Sequence, residues 1–243
     1  MFQKVKQLNK NIILIILIFI LIIVTAYQSN TPRNKSENFN GGKSETNKNN
    51  SKKIKYGKIG DTKYIKIVYF YLHNNFGLSA QAIAGILGNW VQESGIDPIA
   101  MQGDWNYRSL KNSKENTNNH QKDIGIAQWS SKRRAQLINY ANEKYNGEWW
   151  NMTCQLEFMT QYDGSFVEIL KEYSLGADDN IAQNAVDFNK KWEISADDEN
   201  KIAKTRGAYA KNVYKYMQDN DMTGSRNLDK LNNLRFRGVA IHY

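Results

Sequence analysis

One glutamate of this chain, Glu93, stands where a predicted helix could present it as a general acid. The stretch from Ser79 to Gly95 carries a single apolar stripe with the 3.6-residue period of an α-helix, formed by Ile83, Ile86, Leu87, Trp90 and Val91. Ser79 is a suitable N-cap, and Gly95 falls where a left-handed residue would end the helix. Glu93 follows Ile86 by two turns, so we predict that its side chain projects from the flank of the buried face.

This position favours proton-transfer chemistry at Glu93. Partial burial and the negative end of the helix dipole both disfavour the ionised form of a carboxyl group. The two effects together favour a protonated Glu93, which is the form that a proton donor needs. The alternative is a solvated glutamate at a helix end, and the spacing alone does not exclude it.

The first 27 residues have the pattern of an export signal. Lys4, Lys6 and Lys10 precede thirteen residues, 12–24, that are all Ile, Leu, Phe or Val. This pattern predicts either a signal peptide, with Val24-Thr25-Ala26 before the cleavage point, or a signal-anchor that stays in the membrane. The lysines of an anchor remain on the cytoplasmic side. We therefore expect the rest of the chain to lie outside the cell membrane on a single-pass anchor, or to be secreted to the cell wall.

Residues 28–58 are predicted to be a disordered basic linker, because they are rich in Asn, Lys, Ser, Gly and Thr and have almost no apolar side chains. The net charge of the whole chain is +9. It is concentrated in the flanks, since residues 59–220 carry 18 basic and 20 acidic side chains. A nucleic-acid-binding domain would need a basic face on its folded part, so we expect no nucleic-acid partner.

Residues 59–220 are predicted to form one mainly α-helical domain, since helical apolar periods recur and no alternating strand pattern is found. The predicted helices are 61–75, 79–94, 130–145, 152–162, a short one around 166–170, 179–191, and a last one up to Gln218 that Ser195 and Asp198 open as a capping box. The polar stretch 99–124 is predicted to be a long loop or to contain a small hairpin. The role of the tail, residues 221–243, stays open.

The residues around Glu93 resemble a known family. Asn89-Trp90-Val91-Gln92-Glu93-Ser94-Gly95-Ile96-Asp97-Pro98, followed by Gly125-Ile126-Ala127-Gln128-Trp129 and the basic pair Arg133-Arg134, is similar to the phage-tail-type lysozyme domain. That domain belongs to the lysozyme and lytic-transglycosylase superfamily, and the likeness covers about residues 61–218. An N-terminal membrane segment ahead of such a domain also resembles wall hydrolases of conjugative elements in Gram-positive bacteria, so a conjugation or phage-derived machinery is a possible partner.

The resemblance implies that Glu93 is the general acid of a peptidoglycan-cleaving enzyme with an α+β lysozyme-like fold. The acid would protonate the β-1,4 glycosidic oxygen between N-acetylmuramic acid and N-acetylglucosamine. A muramidase would need a second carboxylate, and the candidates are Asp97, Asp104, Glu115 and Asp123. We choose Asp123, because it directly precedes the Gly125-Ile126 turn. A lytic transglycosylase needs only the one acid.

Two further site residues follow from the resemblance. The Gln128 amide would bind an N-acetyl group, and the Trp129 ring would stack on a sugar, with a core anchor as the alternative for Trp129. Other aromatic residues that could line the cleft are Trp105, Tyr107, Trp149 and Trp150. We expect no cofactor and no metal, since the single cysteine and three scattered histidines form no metal-ligand motif. The alternative to an enzyme is a non-catalytic lysozyme-like module that binds glycan or serves as a scaffold in a conjugation or secretion apparatus.

Overall fold

The computed structural model describes residues 56–238, and this part of the chain is mainly helical. The predicted export segment and most of the predicted linker lie outside the described residues. The helices are α1 Thr62–Phe76, α2 Ala80–Glu93, α3 Leu110–Glu115, α4 Ser131–Lys144, α5 Met152–Glu157, α6 Phe166–Gly176, α7 Ile181–Phe188, α8 Glu199–Lys204, α9 Arg206–Gln218 and α10 Leu228–Leu231. None of these helices is long and apolar enough to cross a membrane.

Helix α2 is the central helix of the domain, and its predicted limits are confirmed. The Ser79 hydroxyl accepts a hydrogen bond from the backbone N–H of Ala82, which satisfies one of the free donors of the first turn. At the other end Gly95 has a φ of 71°, the left-handed value predicted for it. All residues from Ala82 to Val91 are buried, so the helix is surrounded by the rest of the domain.

Helix α2 packs closely against α7 and α9, and Gly88 makes the contact with α9 possible. A Cβ atom added to Gly88 would lie 2.5 Å from the backbone oxygen of Arg206 and 2.6 Å from the Cβ of Ala210. No larger residue fits between the two backbones without moving one of them. The glycine therefore sets how near α9, and the side chain of Arg206 at its start, can come to α2.

The predicted long loop, residues 99–124, lies within the connection 97–130, which we call the site loop. It contains the short helix α3 and two isolated antiparallel bridges, Met101 with Ile124 and Ile124 with Trp129. The two bridges are the β pairing found within residues 56–238. They correspond to the small hairpin that the sequence analysis gave as one possibility for this stretch. Gln155 of α5 fixes the loop from below: its side chain donates to the backbone oxygens of Pro98 and Trp149 and accepts from the N–H of Ile126.

Two helices continue into single π-helical turns. Helix α5 is extended by Phe158–Tyr162, and α7 is extended by Asn189–Glu193. The sequence predicted ordinary helix over the whole first stretch and over the second as far as Lys191. The second π turn ends at Ile194, which has a φ of 56°, a value that β-branched residues rarely adopt.

The predicted capping box of Ser195 and Asp198 is wrong. Asp198 alone caps α8 by accepting from the N–H of Lys201, whereas the Ser195 hydroxyl donates to the side-chain oxygen of Asn189. The predicted last helix is also interrupted, because Thr205 has φ −103° and ψ −76° and separates α8 from α9. The break lies directly before Arg206.

The tail up to residue 238 packs on the helical domain. The backbone oxygen of Gly224 accepts from the N–H of Ala80, and the N–H of Asn227 donates to Gly77. Leu231 and Leu234 are buried in the same core as α1 and α2. Residues 221–238 thus cover the start of α2.

Candidate active site

Glu93 occupies the last position of α2, and 23% of its side chain is exposed. Its Oε1 accepts a hydrogen bond from Nη1 of Arg206, the first residue of α9. The Arg206 side chain is 6% exposed and also lies 3.6 Å from a carboxylate oxygen of Asp197. The candidate acid is thus held at the protein surface by a buried cation.

The backbone that follows Glu93 is fixed by the motif residues. The Ser94 hydroxyl is buried and donates to the backbone oxygen of Ile126, which ties the end of α2 to the site loop. Gly125 has a φ of 79°, and a Cβ there would lie 2.6 Å from the Gln155 side chain, so only glycine fits. Ser94 and Gly125 therefore set the position of the loop relative to Glu93. Gln155 also fixes the loop, but it belongs to no motif that would reveal this role in the sequence.

Asp123, the predicted second carboxylate, lies in the electrostatic field of Glu93. It is half-buried at the bridge end of the site loop. Burial raises the pKa of Asp123, the negative charge of Glu93 raises it further, and Arg134 opposes both. The structure thus brings the two predicted acids into one electrostatic environment, while the catalytic role of Asp123 stays a prediction.

A third carboxyl group, Glu193, was not predicted from the sequence and belongs to the same environment. It ends the π turn that extends α7, and its Oε1 accepts a 3.0 Å hydrogen bond from the Trp90 indole N–H. Burial, and after it the charge of Glu93, raise the pKa of Glu193 to about 8, against the opposing effects of Arg133, Arg206 and the Trp90 hydrogen bond. These effects together favour the protonated form of Glu193.

The other acids considered from the sequence have structural partners or lie on the surface. Asp104 is fully buried, accepts from the N–H of Met101 and pairs with Arg108 at 2.9 Å. Asp97 lies 3.3 Å from the same guanidinium. Glu115 is exposed on α3. Asp97 and Asp104 stabilise the site loop, and Glu115 lies on its surface. Asp123 and Glu193 are therefore the remaining candidates for the second carboxyl group of the site.

Trp129 is a core residue in this structure. Its ring is 1% exposed and packs edge to face against Phe158 and Trp192. Its indole N–H points to Asp163, 3.4 Å away. The predicted stacking on a sugar needs an exposed ring face, which Trp129 does not have, so the core-anchor alternative describes its position.

Gln128 is half-buried next to Trp129, with a φ of 48°. Its amide nitrogen donates to the backbone oxygen of Gly125 at 3.0 Å. The side chain is therefore folded onto its own turn.

The basic pair of the motif is internal. Arg133 makes a multiple hydrogen bond to the buried carboxylate of Asp163 and lies over the rings of Phe166 and Trp192. Arg134 donates to backbone oxygens of the site loop, at Lys122 and Thr117. Both arginines connect α4 to its neighbours.

Of the aromatic residues that the sequence suggested for the cleft, Trp105 and Tyr107 are exposed, whereas Trp149 is fully buried. Trp105 is 53% exposed, and a Cβ on Gly95 would be 3.5 Å from its ring, so the ring lies beside the end of α2. The Arg108 guanidinium lies 4.7 Å from the ring centre. Within the described residues, no group of three or more His, Cys, Asp or Glu side chains could hold a metal ion.

The family model of the phage tail lysozyme matches residues 63–217, which include α1 through α9 apart from their outermost residues. The chain belongs to the phage tail lysozyme family. No curated protein matches it. Glu93, Asp123, Gln128 and Glu193 all lie inside the matched range. Membership of this family indicates a lysozyme-like domain and, in general terms, peptidoglycan hydrolysis.

Proposed function

We propose that this chain cleaves the glycan strands of peptidoglycan at the β-1,4 bond between N-acetylmuramic acid and N-acetylglucosamine, with Glu93 as the general acid. The observation that carries the proposal is the position of Glu93. It is a partly exposed carboxyl group at the end of the central helix, electrostatically coupled to two further carboxyl groups, Asp123 and Glu193. Clustered carboxyl groups with perturbed pKa values are typical of sites that transfer protons.

The reaction that this geometry supports begins with proton transfer from Glu93 to the glycosidic oxygen while the C–O bond breaks. Positive charge then develops on the sugar ring, and the negative charge of Asp123 lies in the same region to stabilise it. The new bond to the anomeric carbon is formed by water in a muramidase, or by the 6-hydroxyl of the same sugar in a lytic transglycosylase. Mass spectrometry of the released fragments separates the two, because an anhydro end is lighter by one water than a reducing end.

Two side chains support the sugar-binding part of the proposal. The exposed ring of Trp105, beside the end of α2, offers an apolar face for a sugar ring. The amide oxygen of Gln128 accepts no hydrogen bond from residues 56–238, so it is available for the N–H of an N-acetyl group. We assign Trp105 the stacking role that the sequence suggested for Trp129.

The proposal includes a location outside the cell membrane, because peptidoglycan lies there. Residues 1–27 would provide an export signal or a single-pass anchor, and residues 28–58 a tether that reaches the wall. The described domain would then act on wall glycans near the membrane, alone or as part of a conjugation or phage-derived apparatus.

The test is clearing of purified cell walls by the full chain and by Glu93→Gln. Loss of a general acid reduces the rate by about 10²–10⁴-fold, whereas the amide keeps the size of the side chain. The matched control is Glu143→Gln, the same chemical change at an exposed position of α4. Circular dichroism should be the same for all three proteins.

Two outcomes would contradict the enzyme assignment. Wall clearing that survives in Glu93→Gln would show that Glu93 is not the acid. Binding of the wild-type chain to walls without release of reducing ends or soluble fragments would favour the alternative, a glycan-binding or scaffold module.

A further inference from the structure

The segment that precedes α1 lies along helix α9. The Tyr56 hydroxyl donates to a carboxylate oxygen of Asp219 at 2.9 Å, and the Tyr56 ring packs edge to face on Tyr216. Gly57 lies against the side chain of Asn212. Because Tyr216 and Asn212 are four residues apart on α9, the segment follows one face of that helix.

The same segment then reaches the end of α2. The N–H of Asp61 donates to the backbone oxygen of Gly95 at 3.0 Å. A Cβ on Gly60 would lie 2.6 Å from that oxygen, and Gly60 has a φ of 75°, so only glycine suits this position. We call residues 56–61 the strap. Its two ends are fixed on α9 and next to α2, so Lys58 in its middle has a defined position.

The Lys58 ammonium lies near two aromatic rings. Its Nζ is 5.6 Å from the ring centre of Trp105 and 5.1 Å from that of Tyr209. Trp105 is the residue to which we assign sugar stacking, and Tyr209 lies on α9 one turn after Arg206. A cation at these distances from a ring is attracted by the negative charge of the ring face. The two rings therefore hold the ammonium at the edge of the proposed sugar-binding surface.

Lys58 differs from the arginines around the site. Each of these has a protein acceptor: Asp104 for Arg108, Asp163 for Arg133, Glu93 for Arg206, and backbone oxygens for Arg134. Within residues 56–238, the contacts of the Lys58 ammonium are the two aromatic rings, and its side chain is exposed. Lys58 is therefore the cation of this region that is available to an anion from outside the protein.

The proposed substrate supplies such an anion. N-acetylmuramic acid carries a lactyl carboxyl group, which is either free or joined to a peptide that has carboxyl groups of its own. N-acetylglucosamine is neutral. The ionised acids of the site repel an anionic strand, whereas a cation beside the stacking ring attracts the muramic acid unit. A lysine at this position can thus distinguish the two sugars of the strand.

We propose that Lys58 is a specificity-determining residue, whose ammonium binds a carboxylate of the N-acetylmuramic acid unit, on the lactyl group or its peptide, when a sugar stacks on Trp105. This inference rests on the proposed function and names the feature of the substrate that the site recognises. The ammonium is exposed, so water and salt weaken the contact, and its effect on the rate is moderate.

The experiment compares two forms of the same cell walls, both freed of teichoic acid. One form keeps its carboxyl groups, and in the other they are converted to neutral methylamides. At wall concentrations below saturation, the full chain should clear the native form about three- to tenfold faster than the amidated form. Lys58→Met keeps most of the side-chain length without the charge, and it should clear both forms at the same rate.

Two further variants serve as controls. Lys58→Arg keeps the charge and should retain most of the preference for native walls. Lys230→Met is the same chemical change at an exposed position of α10, by the start of α2, and should have the wild-type preference. Walls treated with an amidase, which keep the lactyl carboxylate and lose the peptide, show which of the two groups supplies the anion.

Three results would overturn the inference. Equal clearing of both forms by the wild-type chain would mean that no carboxylate is recognised. A preference that persists in Lys58→Met would assign the recognition to another residue. Faster clearing of both forms by Lys58→Met would mean that the lysine obstructs the stacking ring.

Failure of the proposed function has a different signature. If the wild-type chain clears neither form, or if Glu93→Gln still clears native walls, the proposed function fails, and the inference fails with it. Glu93-dependent clearing of native walls without a preference that depends on Lys58 refutes the inference alone.

A second measurement needs no variant at position 58. Glu93→Gln should bind native walls more tightly than amidated walls at about 0.05 M salt, and the difference should shrink at about 0.5 M salt, because salt screens an exposed ionic contact. Sedimentation of the walls with the bound protein measures this. Equal binding to both forms at low salt would contradict recognition of a carboxylate.

Discussion

Gly88→Ala should destabilise the domain, although alanine is a better helix former than glycine. The added Cβ would lie 2.5 Å from the backbone oxygen of Arg206, 2.6 Å from the Cβ of Ala210 and 2.7 Å from its backbone nitrogen. Two of these atoms belong to the backbone of α9, so rotation of a side chain cannot relieve the overlap. To restore ordinary contact distances, α2 and α9 must separate by roughly 1 Å.

The expected loss of stability is the difference of two opposing effects. Overpacking against a backbone costs about 3 kcal/mol, at the upper end of the usual range. Replacing glycine by alanine inside a helix stabilises it by about 1 kcal/mol. The net loss is therefore about 2 kcal/mol in the free energy of unfolding. For a domain of this size the loss corresponds to a melting temperature lower by about 4–8 °C.

Urea unfolding of the full chain, followed by tryptophan fluorescence, measures this loss through the midpoint and slope of the transition. Gly176→Ala is the matched control, because Gly176 is also helical, lies at the end of α6 and has no atom within 4 Å of its added Cβ. It should leave stability unchanged or raise it by up to about 1 kcal/mol. A Gly88→Ala protein as stable as the control would refute the close approach of α2 and α9. Because α9 carries Arg206, the separation should also slow wall clearing more than the control substitution does.

Two further substitutions test the framework of the site. Asp163→Asn removes the buried charge that faces Arg133, and we expect urea unfolding to show a loss of about 3 kcal/mol; a loss below about 1 kcal/mol would mean that the pair is not structural. Gln155→Leu leaves the backbone oxygen of Pro98 and the N–H of Ile126 in the site loop, and the backbone oxygen of Trp149, without their buried partner. It should lower the free energy of unfolding by about 2–4 kcal/mol and slow wall clearing, whereas an unchanged protein would refute the role of Gln155 in holding the loop.

Features that depend on neighbouring residues were predictable from the sequence. The limits of α2 follow from Ser79 and Gly95, whose local backbone preferences are strong, and the structure confirms both. The mainly helical character of the domain follows from the spacing of the apolar residues and is also confirmed. In the same way the family likeness, carried by the residues on either side of the site loop, agrees with the family match over residues 63–217.

Features that depend on distant contacts were not predictable. Ser195 has the spacing of a capping residue, but the buried Asn189 offers its hydroxyl a better acceptor. Arg133 belongs to a residue type that is usually exposed, yet a buried Asp163 and two aromatic rings hold it inside the domain. For Trp129 the sequence allowed both a sugar platform and a core anchor, and the packing around the ring decides for the core.

Glu193 shows the same limit most clearly. No motif surrounds it. An uninterrupted α-helix would rotate its side chain by about one residue away from the direction that the π turn gives it. Its proximity to Glu93 arises from the π turn, from the Asn89–Asn189 hydrogen bond and from the packing of α7 on α2. Local signals in the sequence can therefore reveal the helix that carries Glu93 and still miss a buried carboxyl group that packs near it.

The π turn at Asn189–Glu193 has a consequence for how such a site can arise and be lost. Its i→i+5 hydrogen bonds accommodate one more residue than an α-helical turn does, so the turn is equivalent to a one-residue insertion in α7. If the same residues continued as a regular α-helix, the side chains after the turn would be rotated by about 100°. Glu193 would then lose its hydrogen bond with Trp90, while the motif around Glu93 stayed intact. Removal of one residue from the turn as well would restore the register of the chain after it, so the extra residue and the π turn depend on each other.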